Sequence, residues 1–533
     1  MFNQKEKTKA ALRESFGKIK DDQFDFESIE KYFRKKDKSG SFHIISDRTC
    51  NDLDFKEFFM FADRTTSKVG QQYLYDIMRT IPNDRERFKP GEQLMDDLKN
   101  NPDLRLECQF HLNKLINYKT FYITYLFQDE HIKPPKWFFV MRLLSFTSVL
   151  SILMSPFAPQ LLFVLLGVFI INTGIHYWNK RNLYEYLGPI PQLLKLNDVA
   201  RELIKHDLFR NIGKDVPASI RIIDKVRNRM SFFRLEARME GDAEIAFWFM
   251  LEIFKTMFLL EPLLLFGVLK QLDIKRKEIE TIFCFVGYID SLISILSLRQ
   301  SVSKYCRPEI NTSGKSITGV DIYHPLIREC VPNSLTTENK SILLTGSNMS
   351  GKTTFIRSVG INAISAMTLN TCFATQFRLP VLKLYSAIRI SDDLMNDKSY
   401  YFEEVLTIKK MVERSQTADA NLFLLDEIFK GTNTIERISA GKAVLSVLAK
   451  NGNIVFVSTH DIELTDMLHE EYDLYHFAEQ VNDKTVDFDY ILKQGRLLKR
   501  NAIRILEING YPESIIKEAL EISDSLDNNS VSK

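Results

Sequence analysis

From Pro156 to Trp178 the chain runs through "PFAPQLLFVLLGVFIINTGIHYW" with no Asp, Glu, Lys or Arg, and from Trp137 to Ser155 its only charge is Arg142. Each run approaches the ~20 apolar residues with which a helix crosses ~30 Å of hydrocarbon. The intervening "SPFAP" is a tight turn, so the pair reads as a helical hairpin. Lys133, Lys136 and Arg142 flank one end and Lys180 and Arg181 the other, while Trp137, Tyr177 and Trp178 stand where an aromatic belt would. The pattern predicts a transmembrane hairpin over residues 137–178 with both ends in the cytoplasm. The competing reading is a pair of buried core helices, but an uncharged run of this length is rare in a soluble helix.

The rest of the chain is too long for one core, with 533 residues and 45% hydrophobic content, so two or more domains are expected. Lys and Arg total 71 against 69 Asp and Glu, a formal +2, which excludes a global field for nucleic acid and leaves room only for a local patch. The six cysteines (Cys50, Cys108, Cys284, Cys306, Cys330 and Cys372) form no C-x-x-C pair, which argues against zinc and a disulfide framework and fits a reducing compartment. "MFNQKEKTKAALRESFGKIK" has charge but no apolar h-region, so no cleaved secretion signal is expected. Residues 1–50 read as a basic helical segment and linker, 51–136 as the first part of a helical core stopped by Pro134-Pro135, and 179–315 as its second part. Within that second part, residues 246–269 carry Glu252, Lys255 and Glu261, which favour a packed core helix over a third crossing. Short β-type runs and glycine turns mark an α/β domain over 316–533.

That domain opens with "SILLTGSNMSGKTT", an apolar run followed by Gly346-x-x-x-x-Gly351-Lys352-Thr353 and then a helical pattern. Glycines let backbone amides close around phosphate, Lys352 supplies a charge to the outer phosphates, and the Thr353 hydroxyl can hold magnesium. In "NLFLLDEIFKGTNT" a buried strand would deliver Asp426 and Glu427 at its C-terminal end, where open parallel sheets bind ligands. Asp426 would orient Mg2+ and Glu427 would polarise the attacking water. A third strand, "NIVFVSTH", ends in His460, placed to sense or position the γ-phosphate. Together these motifs predict a Mg-dependent ATPase of the P-loop class.

The motifs "HPLIRECVPNSL", "LLTGSNMSGKTTFIRSVG", "RISDDLMNDKSYYFEEV", "LLDEIFKGTNT", "VSTHDIELT" and "NAIRILEINGYPESIIKEALEI" resemble, in that order, the ATPase domain of the MutS family of DNA mismatch-repair proteins. The stretches 53–82, 101–115 and 287–310 more weakly resemble the helical core and lever that precede it. The resemblance implies an ABC-type P-loop ATPase domain, MutS-like, behind a mostly helical core and lever. It implies that Gly346, Ser347, Asn348, Met349, Ser350, Gly351, Lys352, Thr353 and Thr354 bind ATP, with Thr353 and Asp426 on magnesium and Lys352, Glu427 and His460 in catalysis. It also makes Ser399 the residue that reaches a partner subunit's nucleotide, with Gly431 to Thr434 facing the partner, which implies a homodimer with composite ATP sites.

Three departures from the family pattern qualify this. No region before residue 50 is long enough for a mismatch-probing domain, and the triplet Phe55-Lys56-Glu57 lies in the helical stretch, where it is expected to be a chance match to the family's Phe-x-Glu wedge. Cys330 stands where relatives tend to carry an aromatic against adenine. The hairpin occupies part of the region where the family carries its DNA clamp. Three functions therefore compete: a membrane-tethered DNA-binding ATPase of repair or recombination, an ATP-driven switch acting on a protein or membrane partner without DNA, and a transporter-like ATPase, for which two crossings form too small a bundle. Basic residues of "RIIDKVRNRMSFFRLEARME" are the candidate contacts to DNA phosphates, with a solvated helix face explaining them equally well.

Overall fold

The computed structural model describes residues 2–83, 88–242, 245–311, 314–347, 349–389, 400–481, 486–497 and 502–531. The chain forms two units, neither continuous in sequence. The first comprises Met1–Asp37, Ala62–Asp76 and Glu86–Ser301, and the second Lys38–Phe61, Ile77–Arg85 and Val302–Lys533.

The first unit is helical. After Pro134-Pro135 come α1 (Phe138–Met154) and α2 (Leu161–Leu187), which pack side by side as a hairpin. Its open end is closed by Trp137 on Trp178, ring centroids 5.4 Å apart. The buried residues of α2 (Val168, Asn172, His176, Asn179, Leu183, Tyr186 and Leu187) fall at helical three- and four-residue spacing and form one stripe. The remaining faces are bare apolar surface, with Phe139 68%, Phe157 84%, Phe163 79% and Ile170 65% exposed.

The stretch 246–269 is not one packed core helix. It breaks into α3 (Ile245–Met257) and α4 (Leu260–Ile274), joined through Leu259 in the left-handed region at φ 48. Glu252, Lys255 and Glu261 are neutralised by one another and by α2, which is why a charged stretch lies against the hairpin.

Helix α5 (Arg276–Ser301) is the core of the unit, buried from Ile279 to Arg299 along most of its length. Its Asp290, fully buried, accepts hydrogen bonds from Thr66 N (2.9 Å), Ser67 N (2.7 Å) and Ser67 Oγ (2.6 Å) at the start of helix Lys68–Arg79. Gly70 makes that approach feasible, since a Cβ there would sit 2.2 Å from the Asp290 carboxylate.

The second unit holds a six-stranded sheet among the described residues. Its strands are β1 (Ser341–Thr345), β2 (Lys383–Ala387), β3 (Asn421–Asp426), β4 (Ile454–Ser458), β5 (Tyr472–His476) and β6 (Lys493–Gln494), in the order β6-β5-β1-β4-β3-β2. All pairs are parallel except β5 with β6. β1, β3 and β4 read as continuous apolar runs because helices cover both faces of a parallel sheet. Those helices include α6 (Lys352–Leu369), α7 (Tyr400–Ser415) and α8 (Thr434–Leu448). A four-stranded sheet of Glu309–Asn311, Gln376–Pro380, Thr318–Ile322 and Asn333–Thr336 accompanies it.

The boundary expected at residue 50 does not coincide with the division of the chain, because residues 38–61 are built into the second unit. His43 Nε2 lies 2.9 Å from Leu384 O on the edge strand β2. Asp52, 1% exposed, accepts from Ser386 Oγ (2.6 Å), Ile388 N (3.2 Å) and Arg389 N (2.9 Å). Asp54 pairs with Arg389 (2.5 Å) and with Arg357 of α6 (3.3 Å). The segment thus covers a strand edge that would otherwise offer unpaired backbone groups.

Candidate functional site

The loop after β1 turns sharply into α6. Gly346 and Gly351 have φ of 148 and 106, and a Cβ on Gly346 would come 2.7 Å from the carbonyl oxygen of Phe477, so only glycine fits. Lys352, 4% exposed, donates to the carbonyls of Gly346 and Ser347, both at 2.8 Å. Ser350 Oγ donates to Ser347 O at 2.8 Å, which tightens the same ring. Burial pushes the Lys352 ammonium below its ordinary range, and the charges of Glu427 and Asp426 oppose that shift.

Strand register brings the second motif to this loop. Ser458 of β4 pairs with Asp426 of β3 and with Leu344 of β1, so three strand ends stand abreast. Thr353 Oγ1 donates to Asp426 Oδ2 at 2.8 Å, and Ser458 Oγ donates to Asp426 Oδ1. A hydroxyl beside a carboxylate is an oxygen donor set suited to a hard cation such as Mg2+. Glu427 follows at φ 50, its N–H donating to Ser458 O at 2.9 Å. Its carboxylate meets His460 Nε2 at 2.6 Å and Lys430 Nζ at 2.7 Å. Burial alone would raise the Glu427 pKa, but the hydrogen bonds and charges of His460 and Lys430 prevail and hold it at about 2.

A cavity of about 500 Å³ opens over the loop, lined by Ser347, Met349, Ser350, Gly351, Lys352, Thr353, Thr354 and Glu427. Ile322, Ile327, Cys330, Val331, Phe355 and Tyr490 line it as well. Tyr490 was not legible as a site residue. Its ring carbon lies 3.3 Å from the point where Gly351 would carry a Cβ, and its carbonyl accepts from Asn333 Nδ2 at 3.0 Å. Glu479, which accepts from Ser347 Oγ at 2.7 Å, was missed likewise. Both lie in polar, turn-rich text without a motif, and only β5 beside β1 brings that text to the loop.

Residues 342–527 match the family model described as MutS domain V. Over this segment the chain is similar to MutS proteins. Over 270 residues it is 30% identical to the DNA mismatch repair protein MutS of Aquifex pyrophilus, covering 49% of this chain and 31% of that one. Over 251 residues it is 33% identical to the DNA mismatch repair protein MutS of Petrotoga mobilis, covering 43% and 29% respectively. The match thus spans about three tenths of the length of these MutS relatives.

In this chain Lys352, Thr353, Asp426, Glu427 and His460 converge, while Asn348 and Ser399 lie outside the described residues. Gly431, Asn433 and Thr434 are exposed, and the next side chain, Ile435, is 80% exposed. Phe55, 1% exposed, is locked in the core of the second unit and cannot serve as a wedge. Of the basic residues considered for DNA, Arg227 is clasped by Asp198 at 2.7 and 2.8 Å.

Proposed function

We propose that this protein is a membrane-anchored MutS-type ATPase that works as a dimer in DNA repair or recombination. The observation that carries the reading is the convergence of Lys352, Thr353, Asp426, Glu427 and His460 at three adjacent strand ends. In this reading the domain is of the P-loop, ABC-type class. The amides of loop 346–351 and the Lys352 ammonium bind the phosphates of ATP, Lys352 exchanging its two loop carbonyls for phosphate oxygens. Thr353 and Asp426 hold Mg2+, which when bound neutralises phosphate charge. Glu427, kept ionised by His460 and Lys430, orients and polarises the attacking water. Tyr490 packs on the base in place of an aromatic at Cys330.

Dimerisation rests on Ser399 and on the exposed Gly431–Thr434 turn, through which ATP would bridge two subunits and favour their closed state. Membrane anchoring rests on the hairpin. In the helical stretch Leu161–Leu203 only 17% of the apolar window is buried, against 83% in Arg276–Ser301, which is a core helix. In this reading the ATPase domain lies in the cytoplasm. Retention of the protein in the pellet after alkaline carbonate extraction of membranes is the expected result, and release into the supernatant would end the anchor.

The mismatch-repair names of the relatives favour DNA as substrate. The engagement of Arg227 by Asp198 and the formal charge of +2 favour the second reading, an ATP-driven switch on a protein or membrane partner. ATP hydrolysis by detergent-purified protein separates the two when measured with no DNA, perfect duplex, mismatched duplex and branched DNA at two salt concentrations. Stimulation that fades at higher salt supports DNA by counterion release. Hydrolysis indifferent to every DNA supports the switch.

A further inference from the structure

The hairpin α3–α4 presents an apolar face whose surroundings can be deduced from its register against α2. Asn172 Nδ2 donates to the carbonyl oxygen of Met257 at 2.8 Å, and His176 Nε2 meets Glu252 at 2.9 Å. Moving along α2 from Asn172 to His176 therefore corresponds to moving back along α3 from Met257 to Glu252, so the two helices run antiparallel. Glu261, just past the turn, reaches His176 Nδ1 at 3.4 Å and Lys180 at 3.2 Å, so α4 climbs back toward the Trp178 end. At 1.5 Å of rise per residue, Asn172 lies about 9 Å along the helix from Trp178. The turn joining α3 to α4 is therefore sunk about 9 Å below the Trp137–Trp178 pair.

Only the last turns of the outward side of α3 reach below the tryptophans: at 1.5 Å per residue Phe254 lies about 4.5 Å and Ile253 about 3 Å below that level, whereas Met250 lies at it. Phe249, Met250, Ile253 and Phe254 fall on one helical face and are 57%, 71%, 49% and 51% exposed. The charges that argued against a membrane position are turned inward and cancel. Lys255, 2% exposed in its side chain, lies 2.5 Å from Glu252 and 2.8 Å from Glu261, and Lys180 lies 2.7 Å from Glu252. Two carboxylates face two ammonium groups, the condition under which ionisable groups are tolerated at membrane depth. His176, Glu252 and Glu261 bring ligand atoms within 4.8 Å of one another, but that balance leaves no negative charge for a metal ion to neutralise.

We propose that α3–α4 is a re-entrant hairpin seated in the lipid interface beside α1–α2, dipping about a third of the way into the hydrocarbon without crossing it. It rests on the reading of α1–α2 as a membrane anchor, since whatever surrounds residues 156–178 surrounds the turn that Asn172 holds. Each subunit then meets the bilayer through four helices. A helical arm held at two hairpins cannot pivot about a single point, as an arm held only by α1–α2 could.

The test places an environment-sensitive fluorescent amino acid at Phe254, at Phe163 or at Ile435 of the full-length protein in phosphatidylcholine vesicles. Quenching is then measured with lipid carrying a doxyl label near the headgroup or deep in the chain, and with aqueous iodide. The expected result is lipid quenching at both Phe254 and Phe163, strongest at Phe254 with the shallow label, with iodide effective only at Ile435. Iodide quenching at Phe254 together with lipid quenching at Phe163 would overturn the re-entrant hairpin and leave the anchor standing. Iodide quenching at both would remove the anchor and this inference with it. Ile253 gives a second position on the same face, read by the same criteria, should the Phe254 variant not assemble.

Discussion

Asp52 sits in the part of the chain expected to belong to the helical core, yet it is tied to the far edge of the sheet. Asp52→Ala removes a carboxylate that takes a hydrogen bond from the buried Ser386 hydroxyl and two from the amides of Ile388 and Arg389. A hydrogen bond to a charged acceptor contributes about 1.5–3 kcal/mol. The Ser386 bond, fully buried, should count near the middle of that range. The two amides, at partly exposed residues, recover much of their loss from water, so the sum is roughly 3 kcal/mol. That corresponds to about a 100-fold change in a local opening equilibrium. Hydrogen exchange followed by mass spectrometry on the full-length protein is the assay. Peptides covering β2 and Ile388–Arg389 should lose about 100-fold protection, and those covering β4, two strands in from β2, should lose far less. Asp52→Asn, which keeps one acceptor, should fall between the two. Unchanged exchange at β2 in Asp52→Ala would refute the assignment of residues 38–61 to the second unit.

Four further outcomes are expected. Lys352→Ala should weaken nucleotide binding at least tenfold, read by titration with a fluorescent ATP analogue, because it removes both a phosphate charge and the clasp on the Gly346 and Ser347 carbonyls. Glu427→Gln should bind ATP normally but hydrolyse it about 100-fold or more slowly, and ATP should then hold the dimer closed in size-exclusion chromatography. Glu427 has a depressed folded-state pKa, so the stability it contributes is present above its ordinary 4.5 and is lost only as pH falls through about 2. Replacing Lys430 by Met removes one of the two groups that oppose burial, so the acid limb of a kcat/KM profile should move to higher pH than in the parent protein. Lys255→Met leaves two buried carboxylates against Lys180 and His176 and should lower the unfolding midpoint in detergent, whereas adding Glu252→Gln should recover most of the loss by removing a positive and a negative charge together.

Much of the candidate site could be read in advance because its chemistry is local in sequence. A phosphate-type loop must be glycine, lysine and threonine at fixed offsets, and a buried parallel strand must be an unbroken apolar run, so Gly346 to Thr353 and Asp426-Glu427 announce themselves. Tyr490 and Glu479 do not, since a lone tyrosine in polar text acquires a role only when β5 pairs with β1. The division of the chain was illegible for a related reason. Residues 38–61 have the helical composition of their neighbours, and nothing in "CNDLDF" reveals that Asp52 and Asp54 satisfy groups more than 300 positions away.

The stretch 246–269 exposes the deeper limit. Hydropathy counts Glu252, Lys255 and Glu261 as three costs, because it assumes that each charge meets its surroundings alone. Their partners are supplied partly within the stretch and partly by α2, where His176 hydrogen-bonds Glu252 and Lys180 pairs with Glu261, 76 and 81 positions earlier. The cost of a charge in an apolar medium depends on what stands within about 3 Å of it, and that is a property of packing rather than of composition. A stretch with balanced charges at helical spacing opposite another such stretch can therefore sit at a depth that its own letters forbid. In this chain the same argument covers Asn172 and His176 on the buried stripe of α2, which meet the Met257 carbonyl and Glu252. Asn172 and His176 give the second hairpin the groups that fix its register against α2.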